Sequence, residues 1–280
     1  MAAYLRIMAF KEGYYGYRVG VPEVVEGIFS HFYFGGNASQ EIIYQTLLPS
    51  FQTIMVFSFG SPASFLTEAG ESLPVEKCVV AGPIRQALRY QLPPGARIIV
   101  VNFKDDAFFR FFGTAVITQH TVADPDALLE SNCFADLWQE LCTISTDAGI
   151  IDRLVAFCQP YLRERSGIAG QLATFDNPEL GAIKTIAGQN NLSERAIQLQ
   201  HKKHFGYSAK AISRYLRFLK AVELLQSMAA KGNSKTDWFK IIDQCGYYDQ
   251  SQLIHDFNHF LHISPAQYLK FQQTVCNPRG

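Results

Sequence analysis

The sequence predicts an α+β chain: a β-rich N-terminal part, a small barrel or sandwich accompanied by helices, precedes an all-α C-terminal part. Three observations carry this expectation. Up to about residue 120, apolar residues come in short β-branched and aromatic runs separated by turn residues. From Pro125 onward they recur at spacings of three and four, the period of an amphipathic helix. Beyond Asn177 the helical pattern repeats at an offset of 56, the step from Ser193 to Asp249 and from Ser208 to Ser264.

The strands come first. Residues 53–59, 77–81 and 96–103 are the strongest runs, and Gly60-Ser-Pro62, Gly82-Pro83 and Pro93-Pro-Gly95 punctuate them. Several short strands with turn signals between them fit a barrel or sandwich. The aromatic run from Phe103 to Phe112 is read as core packing, with a pocket lining as the alternative. Helical spacing then predicts amphipathic helices over 127–141 and 150–165, with Leu128, Leu129, Leu137, Leu141, Leu154, Val155 and Leu162 on their apolar faces. The small residues Ser166-Gly-Ile-Ala-Gly170 read as the start of a linker. A chain of 280 residues favours two domains, so the boundary is placed at 166–178, giving 1–168 and 178–275.

Each C-terminal repeat has the same local chemistry. An apolar helix, from Ala182 to about Gly188 or from Trp238 to Cys245, ends at a residue tolerant of positive φ, Asn190 or Gly246. A second helix then starts on Ser193 or Asp249, whose side-chain oxygen can accept the orphan backbone N–H groups of the first turn. In the second copy Gln252 stands at the third helical position, a variant of the capping box. Helix, tight turn, helix is the geometry that presents a second helix to the major groove. On these second helices Arg195, Gln198 and Lys202, then Gln250, Ser251, Gln252 and His255, are the candidate DNA-contacting residues, facing away from Ile197 and Phe205, or from Leu253, Phe257 and Phe260. Gln can bond adenine through two hydrogen bonds, Arg can do so with guanine, and Lys mainly meets phosphate. One long helix, about Ala209 to Ala230, joins the copies. Its predicted apolar stripe is Ile212, Leu216, Leu219, Val222 and Leu225, while Arg214, Arg217 and Lys220 are available to the DNA backbone. A spacing of about 34 Å between the two recognition helices would place them in successive major grooves.

Charge supports the division. From Asn177 onward there are 13 Lys and Arg against 7 Asp and Glu, and the preceding residues carry 12 against 18, so a formal +6 module follows a −6 one. Six scattered cysteines form no C-x-x-C pair, which argues against zinc knuckles and redox motifs and predicts reduced, mostly buried thiols. His31 and His120 are the only histidines before residue 177, too few for a metal-dependent site, and neither metal nor cofactor is expected. No apolar run is long enough to span a bilayer, and the first residues lack the pattern of a signal peptide, so a cytoplasmic location is expected.

At these residues the module resembles the AraC/XylS family of bacterial transcriptional regulators. The resemblance covers Leu180 to Phe271. It is strongest at Gly246-Tyr-Tyr-Asp-Gln-Ser-Gln-Leu-Ile-His-Asp-Phe257 followed by Ile263-Ser-Pro-Ala-Gln-Tyr268, with Leu192-Ser-Glu-Arg195 and Gly206-Tyr-Ser208 as landmarks of the first motif. It implies a DNA-binding regulator, not an enzyme, with contacts at the seven candidate residues above and also at Leu199. The implied partners are double-stranded DNA, RNA polymerase as for an activator, a small-molecule effector, and a second copy of the chain. The sequence departs from the family pattern at Leu199, His201, Ala209, Gln252 and His262, where Arg, Phe, Pro, His and Gly are usual. Leu47-Leu-Pro-Ser50, Ala81-Gly-Pro83 and residues 102–113 resemble the cupin-like domains that precede some members, which implies a sensory or dimerising role, with dimerisation through helices 125–165. Two other readings stand beside this one: a DNA-repair alkyl transferase fused to such a module, which needs an activated cysteine, and a protein-interaction module with weakened DNA reading.

Overall fold

The computed structural model describes residues 13–115, 122–175, 181–230 and 237–276. Residues 1–12, His120 and the side chain of Cys276 lie outside the described residues. The described residues open with nine strands: β1 (Tyr14–Val19), β2 (Phe29–Asn37), β3 (Ile43–Leu47), β4 (Ile54–Phe59), β5 (Ala63–Leu66), β6 (Ser72–Val75), β7 (Cys78–Ala81), β8 (Leu88–Leu92) and β9 (Arg97–Phe103). Helix α1 (Ala107–Phe112) and the short strand β10 (Val122–Ala123) follow. All pairings are antiparallel, in a six-stranded sheet ordered β1-β2-β9-β4-β7-β10 and a four-stranded sheet ordered β3-β8-β5-β6. This is the expected β-rich barrel or sandwich. Tyr14 and Tyr33 of the large sheet share a short hydroxyl hydrogen bond, and Tyr14 Oη lies 3.4 Å from Tyr90 Oη of the small sheet, so a polar link ties the two layers.

Burial explains why β4 and β9 read so clearly in the sequence. Every residue of β4 is buried, as are all but the first of β9, because these central strands are covered on both faces. The outer cover comes from α1, α2 (Pro125–Leu129), α3 (Cys133–Thr143) and α4 (Asp147–Cys158). Phe103, Phe108, Phe111 and Phe112 interlock with Phe29 and Phe134 in the main core, so the aromatic run is packing and not a pocket wall. Leu137, Leu141, Ile150, Leu154 and Val155 join the same core. The apolar faces proposed for dimerisation are therefore spent on the sheet.

Two predicted helices differ from the structure in extent. The first is broken at Glu130, whose φ of 52° ends α2, and the Asp126 carboxylate then accepts from Phe134 N (2.7 Å) and Ala135 N (2.9 Å) to start α3. The second stops at Cys158, because Pro160 has no amide hydrogen for a helix interior and the chain tightens into a 3₁₀ turn over Gln159–Tyr161.

The predicted linker is also corrected. Residues 167–174 form α5 (Gly167–Thr174), capped by Ser166 Oγ, which accepts from Ala169 N at 3.2 Å. Ile168 and Leu172, one turn apart, pack with Phe175 and Ile183 around buried Ile186, Ala187 and Ile197. That contact outweighs the poor helix propensity of its two glycines.

The remaining helices are α6 (Ala182–Gln189), α7 (Glu194–Phe205), α8 (Ala209–Ala230), α9 (Trp238–Cys245), α10 (Gln250–Leu261) and α11 (Pro265–Cys276). They supply the two helix-turn-helix motifs and the long joining helix that the sequence predicts. By packing, the described residues form two compact units: one holds residues 13–84 with Leu88–Ala209, the other Arg85–Ala87 with the residues from Lys210 onward. The first motif thus belongs to the unit that contains the sheets. No helix among the described residues is long and apolar enough to cross a membrane.

The capped α5 yields a direct check. Ser166→Ala is expected to lower unfolding stability by about 1 kcal/mol in urea titration, the usual loss for a helix N-cap, whereas the same change in a linker would leave the midpoint where it is.

Candidate nucleic-acid interface

The first motif is α6, a turn and α7. Asn190 Nδ2 donates to Ile186 O at 2.8 Å, and Leu192 N donates to Ala187 O at 3.0 Å, which closes α6. The left-handed residue is Asn191 (φ 51°), one position later than the sequence placed it, and Asn190 keeps a negative φ of −106°. Ser193 Oγ then accepts from Ala196 N at 3.2 Å and starts α7 as expected. Ile197, His201, His204 and Phe205 are buried on one side of α7, and Arg195, Gln198, Leu199 and Lys202 are all exposed on the other. Leu199 keeps 62% of its surface in solvent, far more than an aliphatic side chain with a core to enter would keep.

His201 stands where the resemblance expects Phe, and it acts as an aromatic. Its ring stacks on Phe205 at 4.8 Å, and Nδ1 pairs with Tyr207 O at 2.8 Å. Burial holds its pKa below the ordinary histidine value, so the neutral ring is the folded form. The back of α7 rests on the sheet-bearing part of its own unit. Phe109 meets His204 edge-on at 4.4 Å, and Tyr207 meets Phe51 at 5.1 Å. Gly206 closes the helix with φ 79°, and a Cβ there would lie 2.3 Å from Ala115 O, so both the turn and the close approach require glycine.

The second motif follows the same plan with better turn chemistry. α9 ends at Gly246 (φ 71°), where Tyr247 N donates to Ile242 O at 2.9 Å. Asp249 Oδ1 accepts from Gln252 N (2.8 Å), and Gln252 Oε1 accepts in return from Tyr248 N (3.0 Å), a reciprocal cap around the start of α10. Gln250, Ser251 and His255 are exposed on α10, while Leu253, Phe257 and Phe260 are buried. Gln252 is half-buried, and its amide oxygen is committed to the cap.

α8 and α10 are joined by Asp256, which is 1% exposed. Its two carboxylate oxygens accept from Arg214 Nε (2.6 Å) and Arg217 Nη2 (3.1 Å). Arg217 also covers the Tyr247 ring at 4.6 Å, and Arg214 covers Phe260 at 5.4 Å. These two arginines hold the fold and are not the free backbone contacts the sequence suggested; Lys220 remains exposed. The buried stripe of α8 is Tyr215, Phe218, Ala221, Val222 and Leu225; it keeps Val222 and Leu225 of the prediction, and in the first half of the helix it is rotated, with Leu216 turned outward. Phe218 contacts Phe257 at 5.0 Å and Phe260 at 4.7 Å, and these aromatic partners set the rotation.

The chain is similar in structure to ToxT from Vibrio cholerae. The likeness covers 92% of this chain and 97% of that one, at 12% identity and a TM-score of 0.42. A second structure of Vibrio cholerae ToxT, with an unsaturated fatty acid bound, covers 93% and 96% at 7% identity and TM-score 0.36. The AraC-like transcriptional activator CuxR is matched over 75% of this chain and 86% of its own, at 14% identity and TM-score 0.25. No protein-family model matches the sequence, and no curated protein does.

Asp256 escaped the sequence reading, although a signal for it was present. Leu253, Asp256, Phe257 and Phe260 follow the spacing of a buried face, so a carboxylate among them requires a cationic partner. Among the described thiols Cys158 and Cys245 are buried, Cys78 and Cys133 are half-buried and Cys142 is exposed, so fewer are buried than expected; burial pushes Cys158 up to about 12 and also raises Cys78 and Cys245, the opposite of an activated nucleophile.

Two outcomes test this geometry. Asp256→Asn leaves two guanidinium groups facing each other without their anion, and an unfolding loss of about 2–3 kcal/mol is expected in urea titration, below the usual range for a buried pair because both arginines are partly solvated. His201 has a depressed folded pKa, so its contribution is complete above about pH 6.5 and drains away as pH falls toward the folded value. His201→Phe is therefore expected to reduce the drop in Tm between pH 7.5 and pH 5.5 measured by calorimetry, with His31, His204 and His259, also depressed by burial, accounting for the remainder.

Proposed function

We propose that the chain is a sequence-specific DNA-binding transcriptional regulator of the AraC type that acts by binding and performs no chemistry of its own. The single observation that carries this reading is the second motif. A glycine-closed turn and a reciprocal cap fix α10, and Asp256 locks that helix to α8 from behind. Gln250, Ser251 and His255 are left exposed along its N-terminal turns, where recognition helices meet base edges. Gln250 has the two-donor, two-acceptor amide suited to adenine. In the first motif Arg195 and Gln198 offer base contacts, Lys202 a phosphate contact, and Leu199 an apolar surface for a thymine methyl. The helix between the motifs spans 22 residues, about 33 Å at the standard rise. The AraC-type reading implies that the two recognition helices read successive major grooves. The sheet-bearing part is the place for modulation, by a small molecule or by pairing of two copies, and RNA polymerase is the partner such a regulator addresses.

Selection of bound duplexes from a random pool tests the proposal and yields the operator. Two sequence blocks about one helical turn apart are expected. On that operator, Gln250→Ala combined with His255→Ala is expected to weaken binding at least tenfold, measured by fluorescence anisotropy, with affinity falling steeply as salt rises. Equal binding by the variant and the parent chain at every salt concentration would remove the groove-reading model.

A further inference from the structure

The second motif carries an aromatic surface that its fold does not use. Phe239 is 86% exposed and Tyr248 92% exposed, values at which neither ring contributes to the core. With Trp238 and Ile242 they line an open cleft of about 590 Å³ that extends to Gln250. The cleft lies between the N-terminal ends of α9 and α10. Its acidic lining residues, Asp237 and Asp249, are both spent as caps, accepting from Lys240 N at 3.1 Å and Gln252 N at 2.8 Å.

The location decides what would fill it. When a helix-turn-helix binds, the first helix crosses the sugar-phosphate backbone while the N-terminal turns of the second enter the major groove. The cleft is lined from the start of both helices, by Trp238 and Phe239 of α9 and by Gln250 of α10, and so adjoins that junction. Its two carboxylates repel a phosphate, whereas its rings and Ile242 favour carbon surface. The carbon surfaces a duplex offers at the groove wall are the thymine methyl and the deoxyribose edge.

We infer that Phe239 and Tyr248 form an apolar contact with DNA, covering thymine methyl groups and deoxyribose at the edge of the block read by α10, and so add a preference for thymine beside that block. This rests on the DNA-reading proposal above and deepens it. Neither ring supports the core, so both can be changed without unfolding the motif.

The test uses the full chain and the operator it selects. Wild type and the Phe239→Ser, Tyr248→Ser double variant are titrated against that duplex with thymine, or with uracil in its place, at positions flanking the second block. Wild type is expected to lose about fourfold in affinity for each methyl removed that it covers. The double variant is expected to bind the thymine duplex about tenfold more weakly, to show no difference between thymine and uracil, and to keep the parental salt slope. Unchanged binding by this variant, while Gln250→Ala with His255→Ala loses binding, overturns the inference and leaves the DNA-reading proposal intact. Unchanged binding by both variants overturns both. A salt slope reduced by about one assigns the rings to phosphate and overturns the thymine contact. A shift from dimer to monomer in sedimentation, with a thymine preference that persists, makes the surface a contact between copies of the chain and also overturns it.

Discussion

The buried carboxylate of Asp256 is the constraint on which the second motif depends. A charge removed from water must recover most of its hydration from nearby donors, and here two arginines of α8, 42 and 39 residues earlier in the chain, provide them. This fixes more than a distance. Arg214 and Arg217 lie one turn apart, so gripping one carboxylate with both sets the rotation of α8 about its axis as well as the level of α10 along it. Phe218, Phe257 and Phe260 then fill the space behind the ion pair, and the aromatic contacts and the charges specify the same register. Because each guanidinium also lies over a ring, replacement by lysine would lose the planar contact along with the forked donor geometry.

The two motifs reach a similar shape by different routes. The second builds its turn from a glycine and a reciprocal cap and leans on its neighbouring helices. The first uses Asn191 in the left-handed region, a serine cap and a neutral histidine in an aromatic slot, and it leans on the sheet-bearing part through His204, Gly206 and Tyr207. Their recognition helices keep the same division, apolar residues inward and polar residues outward, which follows from the 3.6-residue period whatever lies behind.

Much of this was legible in the sequence. The continuous apolar runs of β4 and β9 and the cap residues Ser193 and Asp249 are local signals, read within a few residues. What was missed depends on partners far along the chain. Arg214 and Arg217 look solvated until Asp256 is brought to them. The apolar spacing of α8 points to Ile212, Leu216 and Leu219 ahead of Val222 and Leu225, yet Tyr215 and Phe218 face inward because Phe257 and Phe260 wait there. α5 has the composition of a linker and becomes a helix because Ile186 and Ile197 offer Ile168 and Leu172 an apolar surface. In each case tertiary contact overrides a weak local preference.

The way the first motif is backed has a practical side. A fragment trimmed to the helical repeats alone would strip α7 of the surface that covers His204, Gly206 and Tyr207. Its rear would then be wetted, with aromatic edges in contact with water and with other molecules. The isolated C-terminal piece is thus a poor stand-in for the whole chain: it keeps the second recognition helix on its scaffold and leaves the first without a floor.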